Sequence, residues 1–548
     1  MKSRDLRWIF LAILSASALV YLVGNASVQL WDRDEPRYAQ TSRQMLQSGD
    51  WVVPRFLDDI RTAKPIFIYW CQALSMSVFG DNAFAARFPS TLAMVATLSL
   101  MGIVIWKQVG AHRALWTVFI FSSCGLTIAS AKMALTDAVL LFFSTVGQLC
   151  IYRLWRHGFS LNTVLILGLA IGLGGLTKGP VVLGVHLTTV LGLWGIGKIC
   201  PTSRPSGYDK TQFPLIVPIT IAVVFIVIFP WIYLIQSRAP EFLSTAIGHD
   251  VIERARTGHE GHAWPPGYYT LMIWLTFFPW SLLIPAALVN AWKQRDLPTT
   301  RFALAAIVGP WIMFELITGK LPHYVLPTYP AWAYLVADML IRAARGAFKD
   351  LQKKEFRIAV WIWAGLVSVL GGFAWALVVV GGQYDPWLIG VASLIWLIAI
   401  GMGMGTAWRF AQGRVLSAAR VMGIGMGLMI VVSYPFFVGH YQPLQLSLQI
   451  VEKMQQAGAQ PGESGYMIDY KEPSLAFHQG GGLREQRENN YLNESSPTDW
   501  PRWIILTERI WKQVHEPIRQ QWRVVAEVDG WAYNEGGKSR ILIIRRVD

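Results

Sequence analysis

The sequence predicts a polytopic α-helical membrane protein with about thirteen transmembrane helices, interfacial helices in the first outer loop, and a small C-terminal α/β domain. Three observations predict it. Apolar runs repeatedly reach the roughly 20 residues a helix needs to cross a bilayer, in a chain of 548 residues that is 53% hydrophobic and only 15% charged. Lys and Arg collect in every second loop between those runs, as the positive-inside rule requires. After about Val438 the composition turns to that of a soluble domain. The net charge of +14 would suggest a nucleic-acid partner in a soluble protein. Here the cations sit in short loops and report topology, so no nucleic acid is expected.

Lys2, Arg4 and Arg7 precede an apolar run from Trp8 to about Leu30. That run is too long for a signal peptide and lacks a small-residue cleavage site, so it reads as a retained first span with a cytoplasmic N-terminus. Further spans are expected at 86–106, 114–131, 136–152, 161–176, 180–197, 213–235, 268–289, 302–317, 324–341, 358–380, 387–408 and 421–438. The loops that are then cytoplasmic hold Lys107 and Arg113, Arg153 and Arg156, Lys198 to Lys210, Lys293 to Arg301, Arg342 to Arg357, and Arg409 to Arg420. The alternation does not slip. An odd count places the C-terminal tail outside, in the periplasm of a Gram-negative cell.

The expected division is a transmembrane catalytic part at 1–438, with its first outer loop at about 31–84, and a periplasmic α/β domain at 439–548. In that loop Asp34 reads as a helix N-cap with Glu35 and Pro36 in the first turn. Tyr38, Thr41, Met45 and Leu46 then give one semi-apolar face, and 65–79 forms a second, aromatic-rich interfacial stretch. In the tail, strands are expected at 465–470, 503–507, 522–528 and 540–546, and helices at 473–478 and 508–519.

Ionisable residues are nearly absent from mid-span; Glu315 and Asp338 lie near span ends. A transporter or lipid flippase, the contrasting functional class, would usually carry such groups near the midplane. This chain gathers Asp34, Arg37, Lys64, Asp137, Lys178 and Lys320 at one membrane face. Any one of these alone reads as a solvated loop charge. Spread over several outer loops beside Pro, Gly or Tyr, they suit chemistry on a charged headgroup whose tail stays in lipid.

The pieces Asp34-Glu35-Pro36-Arg37-Tyr38-Ala39, Ser48-Gly49-Asp50-Trp51, Lys64-Pro65 before Tyr69-Trp70, and Ala85-Ala86-Arg87 carry a family resemblance. It continues in Leu135-Thr136-Asp137, Leu176-Thr177-Lys178-Gly179-Pro180, Phe278-Pro279-Trp280 and Lys320-Leu321-Pro322-His323-Tyr324. In this order, over about the first 330 residues, they resemble the lipid-linked-sugar glycosyltransferases of the GT-C class. The branch resembled is that of the bacterial aminoarabinose transferases, related to protein O-mannosyltransferases. The resemblance implies an inverting transfer of a sugar, 4-amino-4-deoxy-L-arabinose in that branch, from an undecaprenyl phosphate donor to lipid A or another envelope glycolipid. The place implied is the periplasmic face of the bacterial inner membrane. Transfer to protein hydroxyls or another envelope polymer is the alternative within the class.

Such a transfer needs cations and donors on the leaving phosphate, which Arg37, Tyr38, Lys64, Lys178, Lys320 and Tyr324 could supply. The resemblance points to Asp34 as the base for an acceptor hydroxyl, or as the group that orients an acceptor that is already a phosphate, with Asp137 as the second catalytic carboxylate. His249, Glu253, Arg254, His259, His262 and His323 are candidate substrate-loop residues. Related enzymes place a Glu resembling a metal ligand before the Lys-Pro of the first loop, and this chain has Ala63 there. No cofactor is required by the sequence. A divalent metal held by His249, His259 and His262 is the open alternative to a solvated or substrate-contacting loop, since the spacing is not H-E-x-x-H. Lys178 follows glycines but has no G-K-[ST] ending, and the Gly-rich runs at 401–405 and 423–427 read as close helix packing in lipid.

Overall fold

The computed structural model describes residues 3–199, 213–246, 248, 263–532 and 537–547. The helices are α1 (Ser3–Leu22), α2 (Asp34–Ser48), α3 (Phe67–Phe79), α4 (Ala83–Val109), α5 (Ala111–Ser122), α6 (Gly125–Ala131), α7 (Asp137–His157), α8 (Leu161–Lys178), α9 (Val181–Ile199) and α10 (Phe213–Arg238). Longer ones follow at Pro298–Leu316, Tyr329–Ala344, Lys354–Gly371, Pro386–Ala411 and Val415–Val432. Among the described residues, nine helices are long and apolar enough to cross a membrane, or up to eleven if two bent pairs each form one span. The count of thirteen exceeds this for a physical reason. Pro298–Leu316 is diluted by Arg301, Glu315 and internal Pro310, and Tyr329–Ala344 has only 16 residues.

The bent pairs correct two expected straight spans. Ala111–Ser122 and Gly125–Ala131 meet at 69°, and Tyr268–Thr276 meets Trp280–Lys293 at 119°. A broken helix in an apolar layer needs partners for the freed backbone groups, and the two breaks serve each other. Gly125 N–H donates to Phe278 O at 2.8 Å, and Trp280 Nε1 donates to Ser123 Oγ at 3.2 Å.

Small residues let neighbouring helices approach where no hydrophobic gradient drives them together. A Cβ on Gly309 would lie 2.0 Å from the Thr188 carbonyl of α9, and one on Gly403 would lie 2.8 Å from the Ala364 carbonyl. The charged exceptions near span ends also have structural partners. The Glu315 carboxylate accepts from Gly267 and Tyr269 N–H at a helix start, and Asp338 joins Arg113, Arg342 and Asn290.

Glu35 fixes the end of the bundle at which α2 starts. Its carboxylate accepts Arg87 Nε at 3.0 Å and Nη2 at 2.8 Å, Ala134 N–H at 2.6 Å and Trp31 N–H at 2.8 Å. Arg87, fully buried, gives its remaining protons to the carbonyls of Asn25, Val28 and Gln29. The fork-on-fork pair and the three carbonyls together satisfy all five guanidinium donors. Lys132, also buried, donates to the carbonyls of Val20, Tyr21 and Val23, the orphan acceptors at the C-terminal end of α1.

The C-terminal domain is a five-stranded mixed sheet in the order β4-β3-β5-β7-β6, with β3 (Gly465–Ile468), β4 (Leu483–Glu485), β5 (Trp503–Thr507), β6 (Trp522–Ala532) and β7 (Gly537–Arg546); a two-residue ribbon, β1 (Arg55–Phe56) with β2 (Asp59–Ile60), lies in the first outer loop. Helices cover one face of the sheet through Ile450, Met454 and Leu475, and the other face packs Ile504, Leu506 and Leu542 on Trp500 and Trp522. Burial on both sides makes β5 a continuous apolar run. The expected helix at 508–519 is two single turns, Glu508–Trp511 and Glu516–Arg519. Strand β4 has three residues behind a Gly run, too short for a sequence signal.

The domain docks on the segment before α2 and on α2 itself. Asp32 accepts from Ser474 N and Oγ, Leu30 N–H donates to His478 Nε2 at 3.3 Å, and Arg43 donates to Phe477 O with its guanidinium 4.0 Å from the Phe477 ring centre.

Two outcomes follow from this packing. Arg87→Met leaves a buried carboxylate unpaired and is expected to cost about 3–5 kcal/mol, read as a lowered Tm in detergent, with part recovered when Glu35→Gln is added. His478 is pushed down to about 3 by burial, with Arg87 and Arg43 adding to it. Its unfolded value is about 6.5, so unfolding takes up a proton between those limits. Stability is therefore full above about pH 6.5 and falls as pH drops through the window, a slope that His478→Gln should remove from a Tm-against-pH series.

Candidate active site

Two helix ends meet beside the loop between α1 and α4. Asp137 is the first residue of α7, where free N–H groups favour an anion, and Lys178 is the last of α8, where free carbonyls favour a cation. Their side chains pair at 2.6 Å, and both are nearly buried. The second Asp137 oxygen lies 3.7 Å from His323 Nε2. Lys178 Nζ stands 4.8 Å from the Tyr324 ring centre, and His323 packs edge-on against that ring. Lys64 acts electrostatically on both Asp137 and His323, while its Nζ donates to Ala63 O at 2.8 Å. Burial holds His323 below its ordinary value, Lys178 and Lys64 add to this, and Asp137 and Asp34 oppose it.

The α2 side contributes aromatic and cationic groups. Tyr38 stacks on Tyr69 at 5.7 Å, Arg61 Nε donates to Tyr69 Oη at 3.0 Å, and the Arg61 guanidinium is 5.0 Å from the Tyr38 ring centre. Burial, then Tyr69 and Asp34, push the Tyr38 phenol well above its ordinary value, so it remains a donor. Asp34 is exposed and makes no hydrogen bond or ion pair among the described residues. Its charge acts on Tyr38, Arg61, Lys178 and His323, which places it on the rim of the same cluster. The expected N-cap role is corrected. Arg33 holds the cap position, no side chain caps the helix, and the neighbouring Glu35 is the carboxylate that takes backbone donors.

The structure thus brings together Asp34, Tyr38, Lys64, Asp137, Lys178, His323 and Tyr324. Two candidates stand apart. Arg37 faces Glu485 of the C-terminal domain, with Arg33 and Lys471 also acting on that carboxylate. Lys320, 1% exposed, donates to the carbonyls of Trp264 and Ile317 and holds its own turn. His249, Glu253, Arg254, His259 and His262 lie outside the described residues. Among the described residues no three His, Cys, Asp or Glu side chains group as metal ligands. Ala63 offers no ligand atom from its side chain, and both Asp137 oxygens already have partners. The residues at this position therefore do not fit a metal of the kind for which the Glu of related enzymes resembles a ligand. Arg61 and Tyr69 join the site without having been candidates. Their signal was present in the sequence, since both flank Lys64 within the matched first loop.

Residues 8–245 match the family of dolichyl-phosphate-mannose-protein mannosyltransferases. A Serratia proteamaculans protein named undecaprenyl phosphate-alpha-4-amino-4-deoxy-L-arabinose arabinosyl transferase is 30% identical over 399 residues, 70% of this chain and 67% of that protein. Its Photorhabdus laumondii namesake is 29% identical over 388 residues, 69% and 67% of the two chains. The crystal structure of ArnT from Cupriavidus metallidurans in the apo state superposes with a TM-score of 0.76 at 19% identity, covering 99% of this chain and 98% of that one. Fold and family together define an integral-membrane glycosyltransferase of the GT-C class. Within that class, the chain belongs to the family of undecaprenyl phosphate-aminoarabinose arabinosyl transferases.

The cluster makes His323 a reporter of its neighbours. Lys178→Met should raise the His323 titration midpoint and Asp137→Asn should lower it further, as read by ring NMR of labelled protein in nanodiscs.

Proposed function

We propose that this protein moves 4-amino-4-deoxy-L-arabinose from undecaprenyl phosphate to lipid A or another envelope glycolipid, at the periplasmic face of the inner membrane. The observation that carries the reading is the Asp137–Lys178–His323–Tyr324 cluster at two helix ends, with Asp34 on its rim. The family's named substrates support the choice of sugar and carrier. The unbroken alternation of cationic loops supports a cytoplasmic N-terminus and a periplasmic site and C-terminal domain.

Each residue then has a task. The acceptor oxygen attacks the anomeric carbon from the face opposite the phosphate. The bond from that carbon to the phosphate oxygen breaks, the phosphate takes the electron pair, and the anomeric centre inverts. Lys178 gives one of its three N–H groups to Asp137 and keeps two for a phosphate oxygen. Lys64 adds a second cation and Tyr38 a neutral donor to the growing negative charge. Asp137 holds Lys178 in place. Asp34, with no partner among the described residues, accepts the proton of a hydroxyl acceptor or orients a phosphate acceptor. Arg37, whose charge acts on Glu485 of the C-terminal domain, is left for the acceptor in this reading.

Mass spectrometry of lipid A and total envelope glycans from cells with the intact gene, the Asp34→Ala variant and no gene tests this. An aminoarabinose-sized mass on lipid A should vanish in both defective strains while the variant still inserts in the membrane. Loss from another envelope species would move the acceptor, and no change in any species would refute the transferase reading. In purified protein, Lys178→Ala should weaken undecaprenyl phosphate binding by about 2 kcal/mol, roughly thirtyfold in Kd.

A further inference from the structure

The segment from Gln29 to Arg33 connects α1 to α2 without forming a strand or helix. Such a stretch is fixed by the partners of its backbone groups: the Gln29 carbonyl goes to Arg87, and three successive N–H groups go to side chains. Gln29 donates to Gln445 Oε1 at 3.0 Å, Leu30 to His478 Nε2 at 3.3 Å, and Trp31 to Glu35 Oε2 at 2.8 Å. One residue on, the Asp32 carboxylate accepts Ser474 N–H at 2.8 Å and Ser474 Oγ at 2.5 Å. Ser474 is fully buried, and its Oγ lies 2.6 Å from Ser447 Oγ, so it is itself held by the interior of the C-terminal domain.

Asp34 starts α2 two residues after Asp32, with no side-chain cap of its own. Its direction is therefore set by the Glu35–Arg87 contact on one side and by the segment before it on the other. We infer that Ser474 and His478 are positioning residues for the transfer: by gripping Asp32 and Leu30, the C-terminal domain holds Asp34 in line with the Asp137–Lys178 cluster. This rests on the reading of Asp34 given under Proposed function. The domain is then part of the catalytic apparatus, acting through one short segment on a carboxylate that no ion pair restrains among the described residues. A small misplacement of a reacting group costs up to about a hundredfold in rate, whereas a purely structural domain would change the amount of folded enzyme and leave its turnover alone.

The test uses full-length protein in nanodiscs with an undecaprenyl-phosphate-linked aminoarabinose donor and lipid A as acceptor, and amide hydrogen exchange over residues 29–33. Ser474→Ala should lower kcat per folded molecule roughly tenfold or more, leave the donor KM within about twofold, and speed exchange at the Gln29 to Trp31 amides. Ser474→Thr should recover most of kcat. Asp32→Asn, which alters the same contact from the membrane part, should repeat the effect if Ser474→Ala fails to fold, and the double variant should be no worse than the more severe single one. Wild-type kcat and exchange in Ser474→Ala and His478→Gln, with Asp34→Ala inactive, would overturn the inference alone. An active Asp34→Ala, or a wild type that transfers nothing, would remove it together with the functional reading beneath it.

Discussion

The Glu35–Arg87 pair is the contact on which the site-bearing half of this enzyme depends. A carboxylate and a guanidinium, both excluded from solvent, are each costly to bury alone. Here every oxygen lone pair direction and every N–H finds a use, in the carbonyls of 25, 28 and 29 and in the N–H groups of 31 and 134. The result is one knot tying the end of α1, the start of α2, the middle of α4's first turns and the turn before α7. Asp34 and Asp137 belong to different elements, and this knot is what gives them a common frame.

A second regularity is that the paired charges of the cluster sit on helix ends. Asp137 opens α7 and Lys178 closes α8, so each backbone supplies part of the field that its side chain needs. The two ends meet because α7 and α8 run antiparallel through the bilayer with a short connection. Charge is thereby placed beside lipid without being carried through it, which fits a substrate whose headgroup reacts while its tail stays in the membrane.

Much of this was legible in the sequence. The long apolar runs and the alternating cationic loops fix most of the helices, because both signals are imposed by the bilayer rather than by the fold. Asp34, Lys64, Asp137 and Lys178 were legible as a set because they return to one lip. The bends at 122–125 and 276–280 were not, since a broken helix keeps the composition of a straight one. Glu35 and Arg87 were read as parts of matched pieces and not as partners, because 52 residues separate them and nothing in either local pattern marks a buried pair. Lys320 misled for the opposite reason: a Lys beside Gly and Pro at a span end looks like a substrate ligand, and only coordinates show its protons on the carbonyls of Trp264 and Ile317.

The contact between Asp32 and Ser474 joins positions 442 residues apart. A ribosome adding about 5–20 residues each second needs roughly 20 to 90 s to cover that distance. During that time the first helices are already in the membrane, and the segment before α2 has neither its serine nor its histidine partner. The segment before α2 therefore gains the partners of its Leu30 amide and Asp32 carboxylate only once the sheet domain has been made.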